Sequence, residues 1–300
     1  MNDVQLKEFA LANPHLVMQK QSQAYPDLFV VKYKNKVFYD NLWTPELQEL
    51  RGLVVDRDWN VIVRPFSKIF NRFENDANIA GDEHVLAVRK INGFLGCMTF
   101  NEKYGLIIST TGSLDSDFAK LARLHLLPIS WCGINTDYTY LFEIVDASDP
   151  HIINERVGAY LIGCRNVAGS FMLTEQELDK VAFSLNLIAT PNMTIMRPEW
   201  DIRTFNEVLE DVQMCRHEGY VVYGDTTILK IKSPFYLVKK LFSRVNPEKI
   251  NDQWLDTAKT WIDEEYYPVV DKIRSDMSHF VTLSPEDRRE YIENFIGAGL

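Results

Sequence analysis

No apolar run in the 300-residue chain approaches the roughly 20 residues needed to span a bilayer, so no membrane helix is expected. The four cysteines (Cys97, Cys132, Cys164 and Cys215) lie far apart with no C-x-x-C pair, so neither a zinc site nor a disulfide framework is expected. Reduced thiols in a cytoplasmic protein are the plain expectation, and the cytoplasm would be a host cell's if the source is viral. The six histidines show no metal-ligand spacing. The first residues, MNDVQLKEFALANP, carry an early acid and no long apolar stretch, and are not expected to act as a secretory leader. There is no internal repeat, no low-complexity tract and no evident flexible linker. The chain also lacks an excess of positive charge, since its formal net charge is −10.

What is present is ordinary globular material: 46% hydrophobic and 25% charged residues, enough for a sizeable core. The negative charge is unevenly spread. Residues 251–300 hold 11 Asp and Glu against 5 Lys and Arg, whereas Lys230, Lys232, Lys239, Lys240, Arg244 and Lys249 face only Glu248 within residues 228–250. A local basic patch, not the average, decides where phosphate is bound.

Periodicity and punctuation give a coarse map. Residues 3–12 read as a helix stopped before Pro14. Residues 51–56, 60–66, 84–90, 94–100, 105–110, 138–145 and 159–164 read as strands. Thr174 with Glu177, and Thr204 with Glu207, form capping boxes that start helices. A hairpin is expected around Gly224-Asp225, after which Ser233-Pro234 opens a helix. Beyond residue 250 strand signals vanish, and Ser284-Pro285 starts the last helix. The expected layout is an α+β domain over 1–245 and a helical segment over 246–300. Trp254 and Trp261, seven apart, are expected to share one apolar helix stripe.

Four short elements stand in order: Lys90-Ile91-Asn92-Gly93, Phe142-Glu143, Glu218-Gly219-Tyr220 and Lys230-Ile231-Lys232. None is specific alone; their order, spacing and strand-or-loop context carry the argument. Nucleotidyl transfer needs a neutral amine as nucleophile, cations around the α-phosphate, a carboxylate for a divalent metal and an acceptor for a ribose. Lys90 ends a strand before an Asn-Gly turn. Lys230 and Lys232, two apart on a strand, point to one face. Glu218 begins the strand that pairs with theirs. Glu143 lies in an otherwise apolar strand and needs a partner, either a ribose hydroxyl or an arginine. His217 is expected to be structural.

These elements resemble the nucleotidyltransferase motifs of the covalent ligase and mRNA-capping superfamily, and are most similar to the RNA ligases of T-even phages. The resemblance covers roughly residues 30–245. It includes Arg51-Gly52 and the run Arg64-Pro65-Phe66-Ser67-Lys68-Ile69-Phe70-Asn71. It implies an α+β, ATP-grasp-like nucleotidyltransferase domain of antiparallel sheets with flanking helices and a small helical appendage. It implies an ATP-dependent RNA ligase using Mg2+ or Mn2+, joining 5′-phosphate and 3′-hydroxyl RNA ends in RNA repair, with no protein partner expected. Lys90 would carry AMP, and Lys230 and Lys232 would contact the α-phosphate. Arg51 and Lys68 would handle the triphosphate, Glu143 the ribose and Glu218 the metal. The third position of the lysine motif, usually Asp in that family, is Asn92 here, and no catalytic role is assigned to it. A DNA ligase or a guanylyltransferase usually carries an OB-fold after the last lysine motif, and residues 250–300 are too short and too helical for one. A non-catalytic RNA-binding protein of the same fold is the remaining alternative.

Overall fold

The computed structural model describes residues 2–128, 134–149, 151–169, 171–188 and 194–297. Cys132 lies outside them; Cys97, Cys164 and Cys215 carry free thiols. Two compact units interleave along the chain. The first comprises Met1–Asn78, Gly93–Asp149 and Glu155–Trp200; the second comprises Ile79–Asn92, Pro150–Asn154 and Asp201–Leu300. The boundary between Asn92 and Gly93 thus falls inside the lysine motif.

The first unit holds two sheets. In one, the strands Val17–Gln21, Phe29–Tyr33, Arg51–Val55 and Val61–Val63 pair in sequence order, all antiparallel. In the other, Tyr138–Val145 lies between Gly158–Asn166 and Phe94–Asn101, with Gly105–Ser109 on the outer side of the latter. Its far edge, Ile195–Met196, pairs in parallel with Gly158–Asn166. β-Branched and aromatic residues favour these pleated runs. The strand Tyr138–Val145 is buried along nearly its whole length, with Leu141, Phe142 and Ile144 fully enclosed. The helix Asp117–Leu126, capped by Ser116, buries Ala122 and Leu126 in the core of that sheet.

In the second unit Trp200–Thr204, His84–Arg89, Gly219–Tyr223 and Ile228–Lys232 run in that spatial order. Gly219–Tyr223 is antiparallel to both of its neighbours, and the hairpin expected at Gly224-Asp225 is present. Gly219 has φ +125°, and a Cβ there would collide with the Ile231 carbonyl oxygen. Only glycine therefore lets Glu218 approach the strand of the two lysines so closely. Ser233 caps the helix Pro234–Arg244, as its sequence signature demands.

The helices Asp252–Lys259, Tyr267–Ser275, Met277–Phe280 and Pro285–Gly297 follow. Val238 and Phe242 share one buried cluster with Leu255, Val270 and Ile292. The tryptophan stripe needs correction. The helix carrying Trp254 ends at Lys259, so Trp261 sits in the following turn, 56% exposed, with its ring edge-on to Trp254 at 6.3 Å. No described helix is long and apolar enough to cross a membrane.

Candidate active site

The second unit brings Lys90, Glu218 and Lys232 together at three adjacent strand ends, with Lys230 two residues before Lys232 on its strand. Lys90 follows the strand His84–Arg89, and its backbone N–H donates to the Gly219 carbonyl at 2.8 Å. Its side chain turns to Glu218, with Nζ 3.0 Å from Oε2. Lys232 Nζ lies 3.8 Å from Oε1 of the same carboxylate. Lys230 and Lys232 alternate with buried Leu229 and Ile231 along their strand, so the two amines share the open face. Glu218 is only 3% exposed. Burying a carboxylate costs free energy unless charge or donors face it, and the two lysine amines do so here.

Asn92 was given no chemical role by sequence, yet it completes this cluster. It is 6% exposed and donates from Nδ2 to Glu218 Oε2 at 2.6 Å, while its Oδ1 accepts the Ile153 N–H at 2.9 Å. Tyr236, one turn into the following helix, was also missed. Lys232 Nζ stands 5.2 Å from its ring centroid. Burial, helped by the nearby Glu218 carboxylate, pushes the Tyr236 phenol up to about 12. The Ser233-Pro234 start signal puts Tyr236 in the first turn after the Lys230/Lys232 strand, and that was the available clue. Burial also lowers the Lys232 amine below its ordinary value, and the cations Lys240, Lys90 and Arg244 push the same way against Glu218. His217 Nδ1 accepts the Gly219 N–H at 3.2 Å, and its ring stands edge-on to Tyr220.

A hard divalent cation fits the chemistry of this donor set. Glu218 offers the carboxylate oxygens that such an ion takes as ligands, with water and substrate phosphates supplying the others.

The remaining predicted residues belong to the first unit. Glu143 lies on Tyr138–Val145, and its Oε1 accepts the Gly93 N–H at 3.0 Å. Gly93 must be glycine for this, because a Cβ would strike the Ile144 carbonyl. The partner that the buried-carboxylate argument required is therefore, at least in part, the glycine of the lysine motif. Lys68 Nζ pairs with Glu74 at 2.7 Å and lies 4.6, 5.3 and 5.8 Å from the ring centroids of Phe70, Trp43 and Phe38. Arg51 reaches the Tyr33 hydroxyl, whose pKa burial raises and Arg51 opposes. Tyr33 in turn stacks edge-on with Trp43. Arg51 and Lys68 thus share one aromatic and acidic neighbourhood.

Residues 49–241 match the family model described as RNA ligase, a span that contains all seven predicted site residues. No curated protein sequence matches the chain. Among solved structures, an archaeal ATP-dependent RNA ligase in two crystal forms is similar in fold. One form is 13% identical with a TM-score of 0.57, covering 98% of this chain and 80% of that one. The other is 14% identical with a TM-score of 0.54 and the same coverage. A putative ATP-dependent DNA ligase from Aquifex aeolicus is 13% identical with a TM-score of 0.58, covering 95% of this chain and 78% of that one.

Proposed function

This chain belongs to the RNA ligase family, and from that premise we propose that it is an ATP-dependent RNA ligase working through a covalent lysyl-AMP on Lys90. The observation that carries the reading is the Lys90–Glu218–Lys232 cluster, in which one amine stands 3.0 Å from a buried carboxylate beside a second, pKa-lowered amine. An amine that must become a nucleophile needs a way to lose its proton and cations to discourage its regaining one. Glu218 Oε2 is the acceptor at hand, and Lys232 supplies the adjacent positive charge.

Lys90 Nζ then attacks the α-phosphorus of ATP. A nitrogen–phosphorus bond forms, the bond to the bridging oxygen breaks, and pyrophosphate leaves. Lys230 and Lys232, on one strand face, stabilise the charge on the α-phosphate oxygens. Mg2+ or Mn2+ would be held by Glu218 and would offset negative charge on the phosphates. Glu143 takes the ribose role, and Arg51 and Lys68 the outer phosphates. In the second step an RNA 5′-phosphate oxygen attacks the phosphorus of lysyl-AMP and releases the lysine. In the third, an RNA 3′-hydroxyl attacks that activated 5′-phosphate and AMP leaves.

Incubation with α-labelled ATP and Mg2+ tests the first step. The wild-type protein should carry the label through denaturation, and Lys90→Ala should carry none while its circular dichroism is unchanged. Glu218→Ala and Lys232→Ala should each slow labelling by roughly 100-fold, the scale for removing a preorganised charged group. A Lys90→Ala protein labelled at the wild-type rate would end the assignment. Joining assays on matched RNA and DNA strands, single-stranded and splinted, then separate RNA joining from DNA joining.

A further inference from the structure

The helix Pro234–Arg244 has two unlike faces. Phe235, Tyr236, Val238, Lys239 and Phe242 are buried, and the stripe that runs on from Tyr236 opens outward. Tyr236, Lys240 and Arg244, at i, i+4 and i+8, form a stripe about 12 Å long at ~1.5 Å per residue. Its first member belongs to the active site, because the amines of Lys232 and Lys240 both sit on the Tyr236 ring, 5.2 and 5.7 Å from its centroid. Lys240 is half-buried and Arg244 exposed.

The last helix, Pro285–Gly297, is bound to this one at two points. Lys239 Nζ pairs with Glu293 at 2.7 Å, and Arg288 Nη1 donates to the Val245 carbonyl at 2.9 Å. Arg289, next to Arg288 and half-buried, thereby comes near Arg244, whose charge adds to burial in lowering the Arg289 pKa. The acids in this neighbourhood are few. Glu218 is engaged at the head of the stripe, Glu293 by Lys239, and Glu286 lies by Arg289. Lys232, Lys240, Arg244 and Arg289 are like charges that repel one another, and an anion joining them relieves that repulsion.

We propose that Lys240, Arg244 and Arg289 form a phosphate track that holds the backbone of a single RNA strand leading away from Lys90. Each step along the stripe is about 6 Å, close to the separation of successive phosphates in an extended strand. The row continues two helical turns past the Tyr236 ring, beyond the reach of a triphosphate chain bound at Lys232. Guanidinium and ammonium groups in a single row contact phosphates without reading bases, so the track fixes position and not sequence. The inference rests on the ligase reading of the same site.

The test is the binding of a fluorescent, 5′-phosphorylated single-stranded oligoribonucleotide as a function of NaCl, with ATP labelling of Lys90 followed in parallel. Each lost phosphate contact should remove about 0.7 from the slope of log K against log salt. The Arg244→Gln/Arg289→Gln protein should therefore lose roughly 1.4 of slope and bind RNA about tenfold more weakly at moderate salt, a larger loss than any in Lys90 labelling. Arg244→Gln alone, at an exposed position, should lose half as much slope and guards against misfolding of the double variant. An unchanged slope overturns the track. Lost ATP labelling with intact RNA binding overturns it too, and assigns the cations to the triphosphate. A wild-type protein that takes no label from ATP removes the ligase reading, yet the salt slopes still decide whether the track holds RNA.

Discussion

The side-chain amide of Asn92 has one orientation that satisfies both its neighbours. The Ile153 N–H can only donate and the Glu218 carboxylate can only accept, so Oδ1 must face the first and Nδ2 the second. Aspartate, the usual residue in the resembled family, would keep the bond to Ile153 and lose the one to Glu218. Asn92→Ala should cost about 1–3 kcal/mol of stability, because it orphans a buried N–H and removes a donor from a buried carboxylate. Asn92→Asp should retain the backbone bond yet set two carboxylates against each other, and should slow Lys90 labelling more than its stability loss explains. Denaturant unfolding and quenched labelling measure the two effects separately. An Asn92→Asp protein as fast and as stable as wild type would show that something else positions Glu218. The lysines of this site were legible because alternation in a strand is a local rule. The Asn92–Glu218 bond was not, because its ends are 126 residues apart and only the fold makes them neighbours.

Helix starts were readable for the same local reason. The Thr204–Glu207 capping box forms as its spacing requires, Ser233 caps with Pro234 behind it, and the Ser284 hydroxyl accepts the Asp287 N–H at 3.1 Å. Helix ends were readable where a proline marks them, as for Asp3–Ala12 before Pro14, but not elsewhere, and packing partners were not readable. Trp261 fell outside its expected helix because a seven-residue spacing does not reveal that the helix stops at Lys259. The strands Val17–Gln21 and Phe29–Tyr33 escaped notice, since short runs acquire their type from the neighbours they pair with. Arg288 illustrates what sequence hides at this scale. It is 1% exposed, burial lowers its pKa, and it donates to the carbonyls of Phe280, Val245 and Val281, the last two at the ends of different helices. Positive charge and donors at helix C-termini stabilise them, and the Phe280 carbonyl also accepts the Leu283 N–H at 3.3 Å. Arg288→Ala should destabilise the second unit by about 2–4 kcal/mol, the combined scale of several buried acceptors left unmatched. Hydrogen exchange should locate the loss in Pro234–Arg244, Met277–Phe280 and Pro285–Gly297. Protection unchanged in those helices would mean that the carbonyls find other donors.

At the scale of the whole molecule, a net charge of −10 opposes any polyanion arriving from solution, although the site itself gathers cations. Both facts hold because range differs: contacts along the track act within a few ångströms, whereas the summed field acts over a Debye length, about 8 Å at 0.15 M salt and about 30 Å at 0.01 M. Asp263, Glu264 and Glu265 are consecutive, exposed and part of the acidic C-terminal segment. Replacing them with Asn, Gln and Gln removes three negative charges without touching Lys240, Arg244 or Arg289. Association with an oligoribonucleotide should then quicken several-fold at about 0.01 M salt and hardly at all at about 0.15 M, while dissociation stays as it was, because long-range charge sets encounter and contacts set residence. Stopped-flow mixing at the two salt concentrations reads both constants. A gain that persists at the higher salt, or that appears as slower dissociation, would show that these acids touch the bound strand and do not merely repel it at a distance.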